Sequence, residues 1–173
     1  MTEESETWLE PQAPVEAEGR PPLLRVEPAY RNVLRVRFAL FWVPLAIAAL
    51  VLDQAINDTM FYGLPSTLVP LLALMAVILA PQRIYRRLGY RLTDTLLQVV
   101  RGWMFHTDTI VPFVRVQHID VTRGPVDKLF GTATLVVHTA GTHNSIVTVP
   151  GLAPQTAEDI RDVIREHVRT DFQ

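Results

Sequence analysis

The chain has 173 residues, 49% of them in the set AVILMFWYC, with a mean hydropathy of +0.18, 20% charged residues and no cysteine. The missing cysteines exclude a disulfide framework, a thiolate nucleophile, Cys-ligated zinc and Fe–S clusters, and a net charge of −2 gives no reason to expect a nucleic-acid partner. Positive hydropathy with so few charges points to concentrated apolar runs.

Residues 1–28 hold seven acids against Arg20 and Arg25, a local net of −5, which leaves +3 for residues 29–173. Pro11, Pro14, Pro21, Pro22 and Pro28 interrupt any helix, and no apolar period is visible. A segment that buries so little surface does not offset its chain entropy, so residues 1–28 read as a disordered acidic tail. The tail lacks the basic start and apolar core of a signal peptide. Two readings stay open for the tail: a solvated segment, or one that carries a short partner-binding motif around Trp8-Leu9.

Residues 29–87 read as a transmembrane hairpin. Residues 38–52 (FALFWVPLAIAALVL) and 60–80 (MFYGLPSTLVPLLALMAVILA) contain no charge. The second run is about 31 Å long as a helix, enough for the hydrocarbon core. The first reaches that length if its flanks extend it, with Arg35 and Arg37 snorkelling to the headgroups, giving spans at about 36–56 and 60–80. Arg31, Arg35 and Arg37 precede the first run and Arg83, Arg86, Arg87 and Arg91 follow the second, while residues 53–59 carry two acids and no base. The positive-inside rule then puts both ends of the hairpin in the cytoplasm. Arg83, Arg86 and Arg87 have two readings: they set topology, or they also attract anionic lipid at roughly 1 kcal/mol each.

Residues 88–173 read as an α+β domain. Extended runs over 88–93, 96–101, 103–111, 113–122, 132–139 and 145–149 are separated by turn signals. In FVRVQHIDVT (113–122) the apolar residues change parity between Val116 and Ile119, which suggests a β-bulge at Gln117-His118. Residues 126–130 read as a helical turn. Ala133, Leu135 and Val137 share one face of a strand, and Val147 and Val149 share one face of its partner. Bringing those faces together needs an odd loop, for example 140–142 with Leu135 opposite Val147. Beyond Pro154, the stripe Ala157, Ile160, Ile164 and Val168, widened by Val163, forms an amphipathic helix that covers the sheet.

In this order the residues resemble a known family. A membrane hairpin is followed by YRLTDTLLQVVRG, by IVPFVRVQHIDVTRGPVDKLFGTATLVVHTAG, and by VPGL with a closing helix. The chain resembles the YdbS-like bacterial pleckstrin-homology (PH) membrane proteins over about residues 30–168. The resemblance rests most on the strand from Val111-Pro112 to Ile119 and on the turn from Gly124 to Gly131. It implies a PH-like antiparallel split barrel with a C-terminal helix and no known enzymatic activity. It also implies assembly with a related PH-domain membrane protein, since members are often encoded beside a larger relative.

Catalytic chemistry finds little support in the residues. Ser5, Ser66 and Ser145 lie in no nucleophile elbow, and no Gly-rich phosphate loop is present, so no cofactor is expected. His138 and His143 have a metal-like spacing, but the favoured register does not oppose them, and no metal is expected. Asp94, Asp108, Asp120 and Asp127 all lie at turns or strand ends, where Asp serves turn geometry. Arg115, Gln117, Arg123 and Lys128 remain as a basic rim around the barrel. Two readings stay open for Arg115 and Gln117, placed on one strand face: contact with a phosphate or acidic partner, or hydrogen bonds to the carbonyls of the 124–131 turn. Phe130 is expected to plug the core, and Trp103 either joins the core or forms an exposed ring. The reading is therefore a non-enzymatic scaffold at the cytoplasmic face of the bacterial inner membrane, forming homo- or hetero-oligomers. The alternative is a lipid-responsive module using residues 83–91 and the barrel rim.

Overall fold

A computed structural model describes residues 22–55, 62–102, 105–140 and 146–170. Helices α1 (Tyr30–Ala55) and α2 (Leu64–Arg86) are both long and apolar enough to cross a membrane, and they pack against each other. Along them Leu40, Phe41, Ile47, Val51, Leu71 and Leu74 are among many exposed large apolar side chains, as expected of helices whose solvent is lipid. Pro44 sits inside α1, and Pro70 and Pro81 inside α2. At the far end of the hairpin Asp53 is 4% exposed. Its carboxylate accepts the Gly63 N–H (2.8 Å) and the Ser66 hydroxyl (2.7 Å), so an acid late in α1 caps the start of α2.

The domain consists of two antiparallel sheets and a covering helix. One sheet has the order β1-β2-β3-β4, formed by β1 (Leu24–Arg25), β2 (Gly89–Leu92), β3 (Leu96–Gly102) and β4 (His106–Pro112). A 3-10 turn over Phe113–Arg115 leads into the second sheet, β5-β6-β7. That sheet contains β5 (Val116–Thr122), β6 (Ala133–Thr139) and β7 (Ile146–Leu152), with the short helix α3 (Pro125–Leu129) between β5 and β6. Helix α4 (Pro154–Thr170) packs on β5, β6 and the 3-10 turn through Ala157, Ile160 and Ile164, all at most 5% exposed. Val163, assigned to that stripe from spacing, is 38% exposed and lies outside it.

The bulge expected at Gln117-His118 is present, with Val116 opposite Thr139 but His118 opposite His138. The β6–β7 faces meet as their apolar patterns require, but one pair further along than the three-residue loop would give. Val137 opposes Val147 and Leu135 opposes Val149, and the last ladder pair is His138 with Ile146. Residues 113–115 turn rather than extend, so the strand expected over 113–122 begins at Val116.

Two boundaries differ from the sequence reading. The tail was expected to be disordered through residue 28, yet Leu24 and Arg25 pair with Tyr90 and Gly89, and Val26 is 3% exposed. A two-residue strand with no apolar period leaves no local signal; its partner lies beyond the entire hairpin. The hairpin and the domain are also not separate units. Tyr30, Val33 and Leu34, between 0% and 7% exposed, belong to the domain's core together with Leu97, Val99, Leu135 and Val149, while Ile84 and Tyr85 pack against it. The Tyr85 hydroxyl donates to the Val26 carbonyl (3.4 Å), and the Glu27 N–H donates to the Gly151 carbonyl (2.8 Å). Both helices thus run beyond the expected spans, to Tyr30 at one end and Arg86 at the other. The residues 8–9 motif and Trp103 lie outside the described residues.

Candidate functional site

The basic residues do not form one rim. Arg115 lies on the 3-10 turn and Gln117 on the bulge, so they do not share a strand face. Arg115 lines a cleft of about 350 Å³ along the free edge of β4, with Asp108, Ile110, Thr139 and Val147. Gln117 lines a smaller one, about 210 Å³, with His118, Arg161 and Arg165 of α4. Arg123 and Lys128 are exposed on either side of the start of α3, away from both clefts. Four residues spaced closely in sequence are separated because the chain turns twice between them, at the bulge and at α3.

The 124–131 turn is held by Asp127, not by Arg115 or Gln117. Asp127 is 3% exposed. Its carboxylate accepts the Gly124 N–H (3.2 Å) and the Thr132 hydroxyl (3.1 Å), and its carbonyl accepts the Thr132 N–H (2.8 Å). An acid reaching back over the first turn also complements the positive end of the helix. Arg37 of α1 completes the arrangement, with Nη2 2.8 Å from Asp127 Oδ2. Arg37 therefore bonds to the domain instead of reaching freely to headgroups as its position before the apolar run suggested. The acidic residue just inside a short helix was visible in the sequence; nothing local pointed to a partner 90 residues away.

Phe130 is partly buried against the core, as expected of a plug, whereas its neighbour Leu129 is 76% exposed. The other carboxylates are engaged separately. Asp108 accepts both bonds of the Gln98 amide (2.9 and 2.7 Å), and Gln98 in turn accepts from Arg91 (2.9 Å). Asp120 lies between two imidazoles, 2.9 Å from His118 Nε2 and 3.6 Å from His138 Nε2. Among the described residues no group of three or more His, Asp or Glu is arranged to hold a metal ion.

The basic residues that do converge are at the end of the hairpin. Arg86 and Arg87 close α2 and share a cleft of about 410 Å³ with Arg25 of β1 and His106 of β4, over a floor that includes Leu88, Gly89 and Val100. Arg83, one turn earlier, is exposed but does not line it. Among the described residues neither Arg25 nor Arg86 is paired with a carboxylate. By sequence Arg25 belongs to the acidic tail; only its pairing opposite Gly89 brings it beside Arg86. Beneath this strand pair Tyr90 is 5% exposed, and burial, then the Glu27 carboxylate, lift its phenol above the usual range. The site offers fixed cations beside apolar side chains and no nucleophile or acid–base pair; it can bind an anion, and nothing in it points to bond-breaking chemistry.

Comparisons with known proteins agree with this architecture. The chain is 32% identical over 97 residues to the UPF0699 transmembrane protein YdbS of Bacillus subtilis (strain 168), an alignment covering 56% of this chain and 59% of that protein. The chain therefore spans less than two thirds of the curated relative it matches. No solved structure matches it significantly. With a transmembrane relative and two apolar helices of spanning length, this is a membrane protein, and neither comparison names an enzymatic activity. The family model described as the bacterial PH domain matches residues 38–168, well over half of the chain, and so this protein belongs to the bacterial PH domain family.

Proposed function

We propose that this protein is a non-enzymatic scaffold that holds its PH-like domain at the cytoplasmic face of the bacterial inner membrane and assembles there with a second copy or a related PH-domain membrane protein. The observation that carries this reading is the shared core. Tyr30, Val33 and Leu34 of α1 are buried with the sheets, so the domain has a fixed orientation on its hairpin. A domain fixed in this way presents the same surfaces to the same layer of the cell, which suits assembly. Seven arginines flank the two apolar runs on the domain side, which favours cytoplasmic ends and a two-pass topology. Purification of the full chain from its native membrane in mild detergent, with cross-linking and mass determination, tests the reading. A defined oligomer or a co-purified PH-domain membrane protein is expected; a strictly monomeric, partner-free protein overturns it.

A second reading is favoured by the cleft of Arg25, Arg86, Arg87 and His106, at the end of α2. There the module would take an anionic lipid headgroup, each arginine contributing roughly 1 kcal/mol. Replacing Arg86 and Arg87 by Gln in the full chain should then lower the anionic fraction among lipids retained on purification. Unchanged lipid composition overturns this second reading.

A further inference from the structure

Phe105 and Leu129 are large apolar side chains on the domain that its core leaves out, 81% and 76% exposed. They belong to different elements, Phe105 just before β4 and Leu129 at the end of α3. Both are tied to the level at which the hairpin meets the domain. Leu129 follows Asp127 by two residues, and Asp127 is bonded to Arg37, the last charged residue before the apolar run at 38–52. The backbone carbonyl of Phe105 and the Arg87 Cδ approach the same point above Gly102, at 3.0 and 3.8 Å, and Arg87 is the residue that ends α2. The two exposed side chains thus stand beside the two helices at their point of emergence.

Exposure alone does not mark this surface. Val114 is 70% exposed but sits at the opposite end of the domain, where the Arg115 carbonyl takes the Ala140 N–H beyond the ends of β5 and β6. What distinguishes Phe105 and Leu129 is their setting. Arg123 and Lys128 lie near Leu129 in the chain; Arg25 and Arg86 share a cleft with His106, the neighbour of Phe105. Aromatic and aliphatic tips among long basic side chains match the headgroup region, where rings sit at the interface and arginines and lysines reach phosphates. A second copy fits poorly, because a two-fold contact through this face would set its cations against their own equivalents.

We propose that the base of the PH-like domain is itself a membrane-contacting surface, with Phe105 and Leu129 inserted into the headgroup region of the bilayer that holds the hairpin and Arg25, Arg86, Arg123 and Lys128 on its anionic phosphates. The domain then lies on the leaflet, and the far end bearing Val114 and Ile110 stays free for partners. This inference rests on the membrane-spanning reading of the hairpin and is independent of whether the protein assembles.

Because the chain has no cysteine, single-cysteine probes test it cleanly. Phe105→Cys, Leu129→Cys, Val114→Cys and Leu74→Cys, all at exposed positions, are labelled with an environment-sensitive fluorophore. The full chain is then placed in nanodiscs of phosphatidylcholine and phosphatidylglycerol containing lipids with a shallow nitroxide or, in parallel discs, a nitroxide deep in the acyl chain. The shallow nitroxide should quench emission at positions 105 and 129 several-fold more than at 114, while the deep nitroxide quenches position 74 and so reports the hairpin in the bilayer. Quenching at 74 but equal emission at 105, 129 and 114 overturns the inference and leaves the spanning reading intact. Protection at 105 and 129 that grows with protein copies per disc, without lipid quenching, assigns the face to a second copy and overturns it too. Absence of quenching at 74 overturns the spanning reading and this inference with it.

Discussion

Arg37 Nη2 and Asp127 Oδ2, 90 residues apart, are 2.8 Å from one another, and the contact ties the first membrane helix to the turn between β5 and β6. The two sides of the pair are unequal: the Arg37 side chain is 46% exposed and the Asp127 side chain 4%. Asp127 also holds Gly124 and Thr132, so the carboxylate is the centre of the arrangement and the guanidinium one of three partners.

That asymmetry sets the first prediction. Asp127→Ala removes the acceptor for three donors and should destabilise the domain by about 3 kcal/mol. Arg37→Gln leaves the carboxylate two of its donors and removes a half-exposed charge, so it should cost only about 1 kcal/mol. Denaturant unfolding of the full chain in mild detergent, followed by circular dichroism, separates the two. Equal losses would mean that the buried carboxylate is not the centre of the turn.

Gly151 and Tyr30 supply the second. Gly151 has φ +75°, and a Cβ added there would overlap the Tyr30 ring. Gly151→Ala therefore meets a left-handed backbone cost of about 1–2 kcal/mol and a steric clash besides. In the double variant with Tyr30→Ala the overlap with the ring disappears, while the close approach to the Cβ of residue 30 (2.7 Å) and the backbone cost stay. The two substitutions should then be less than additive in thermal unfolding; full additivity would show that the ring and the glycine do not meet.

These contacts also show what a sequence can reveal of this fold. The bulge at Gln117 was legible because β periodicity is exact, and one change of parity between Val116 and Ile119 reports one extra residue. The inner face of α4 was legible for the same kind of reason, with Ala157, Ile160 and Ile164 at helical spacing. Pairings between distant segments leave no such trace. Leu24–Arg25 is too short to show alternation, and its partner β2 lies beyond two membrane helices. The candidate cleft was half legible: Arg86 and Arg87 stood out as charges after an apolar run, but Arg25 joins them only through that pairing.

The hairpin carries its own polar staple. Asp53 accepts from Gly63 and Ser66 while 4% exposed, so Asp53→Ala should loosen the junction of α1 and α2 by about 2 kcal/mol. Ser66→Ala, which leaves the Gly63 N–H bonded, should cost about half of that. Thermal inactivation of folding in detergent, read by helical circular dichroism, gives both numbers. An Asp53→Ala protein as stable as the parent would remove the capping role.

Tyr90 makes the stability of the domain sensitive to alkali. Its phenol is raised by burial first and by the Glu27 carboxylate second, so the folded state favours the neutral form. The resulting stability is fully present below the unfolded-state value near 10 and is lost as pH rises through the folded value. The parent should therefore unfold progressively more easily above about pH 10, and Tyr90→Phe should flatten that part of the profile. An identical alkaline limb in the variant would place the sensitivity at another group.

The cleft at the end of α2 makes the last prediction quantitative. Two arginines near an anionic leaflet contribute about 2 kcal/mol together, or about thirtyfold in relative affinity for anionic over zwitterionic lipid. Arg86→Gln with Arg87→Gln should remove the share that these two contribute in nanodiscs of mixed composition, leaving that of Arg25, Arg123 and Lys128. Because both side chains are exposed, the preference of the parent should also weaken as salt shortens the screening length, and more steeply than that of the double variant, which keeps Arg25, Arg123 and Lys128. Arg115→Gln serves as the matched control, since it removes one exposed cation from a cleft at the other end of the barrel. If it reduces the preference as much per charge as the Arg86 and Arg87 pair, the effect is one of net charge and the cleft has no special role.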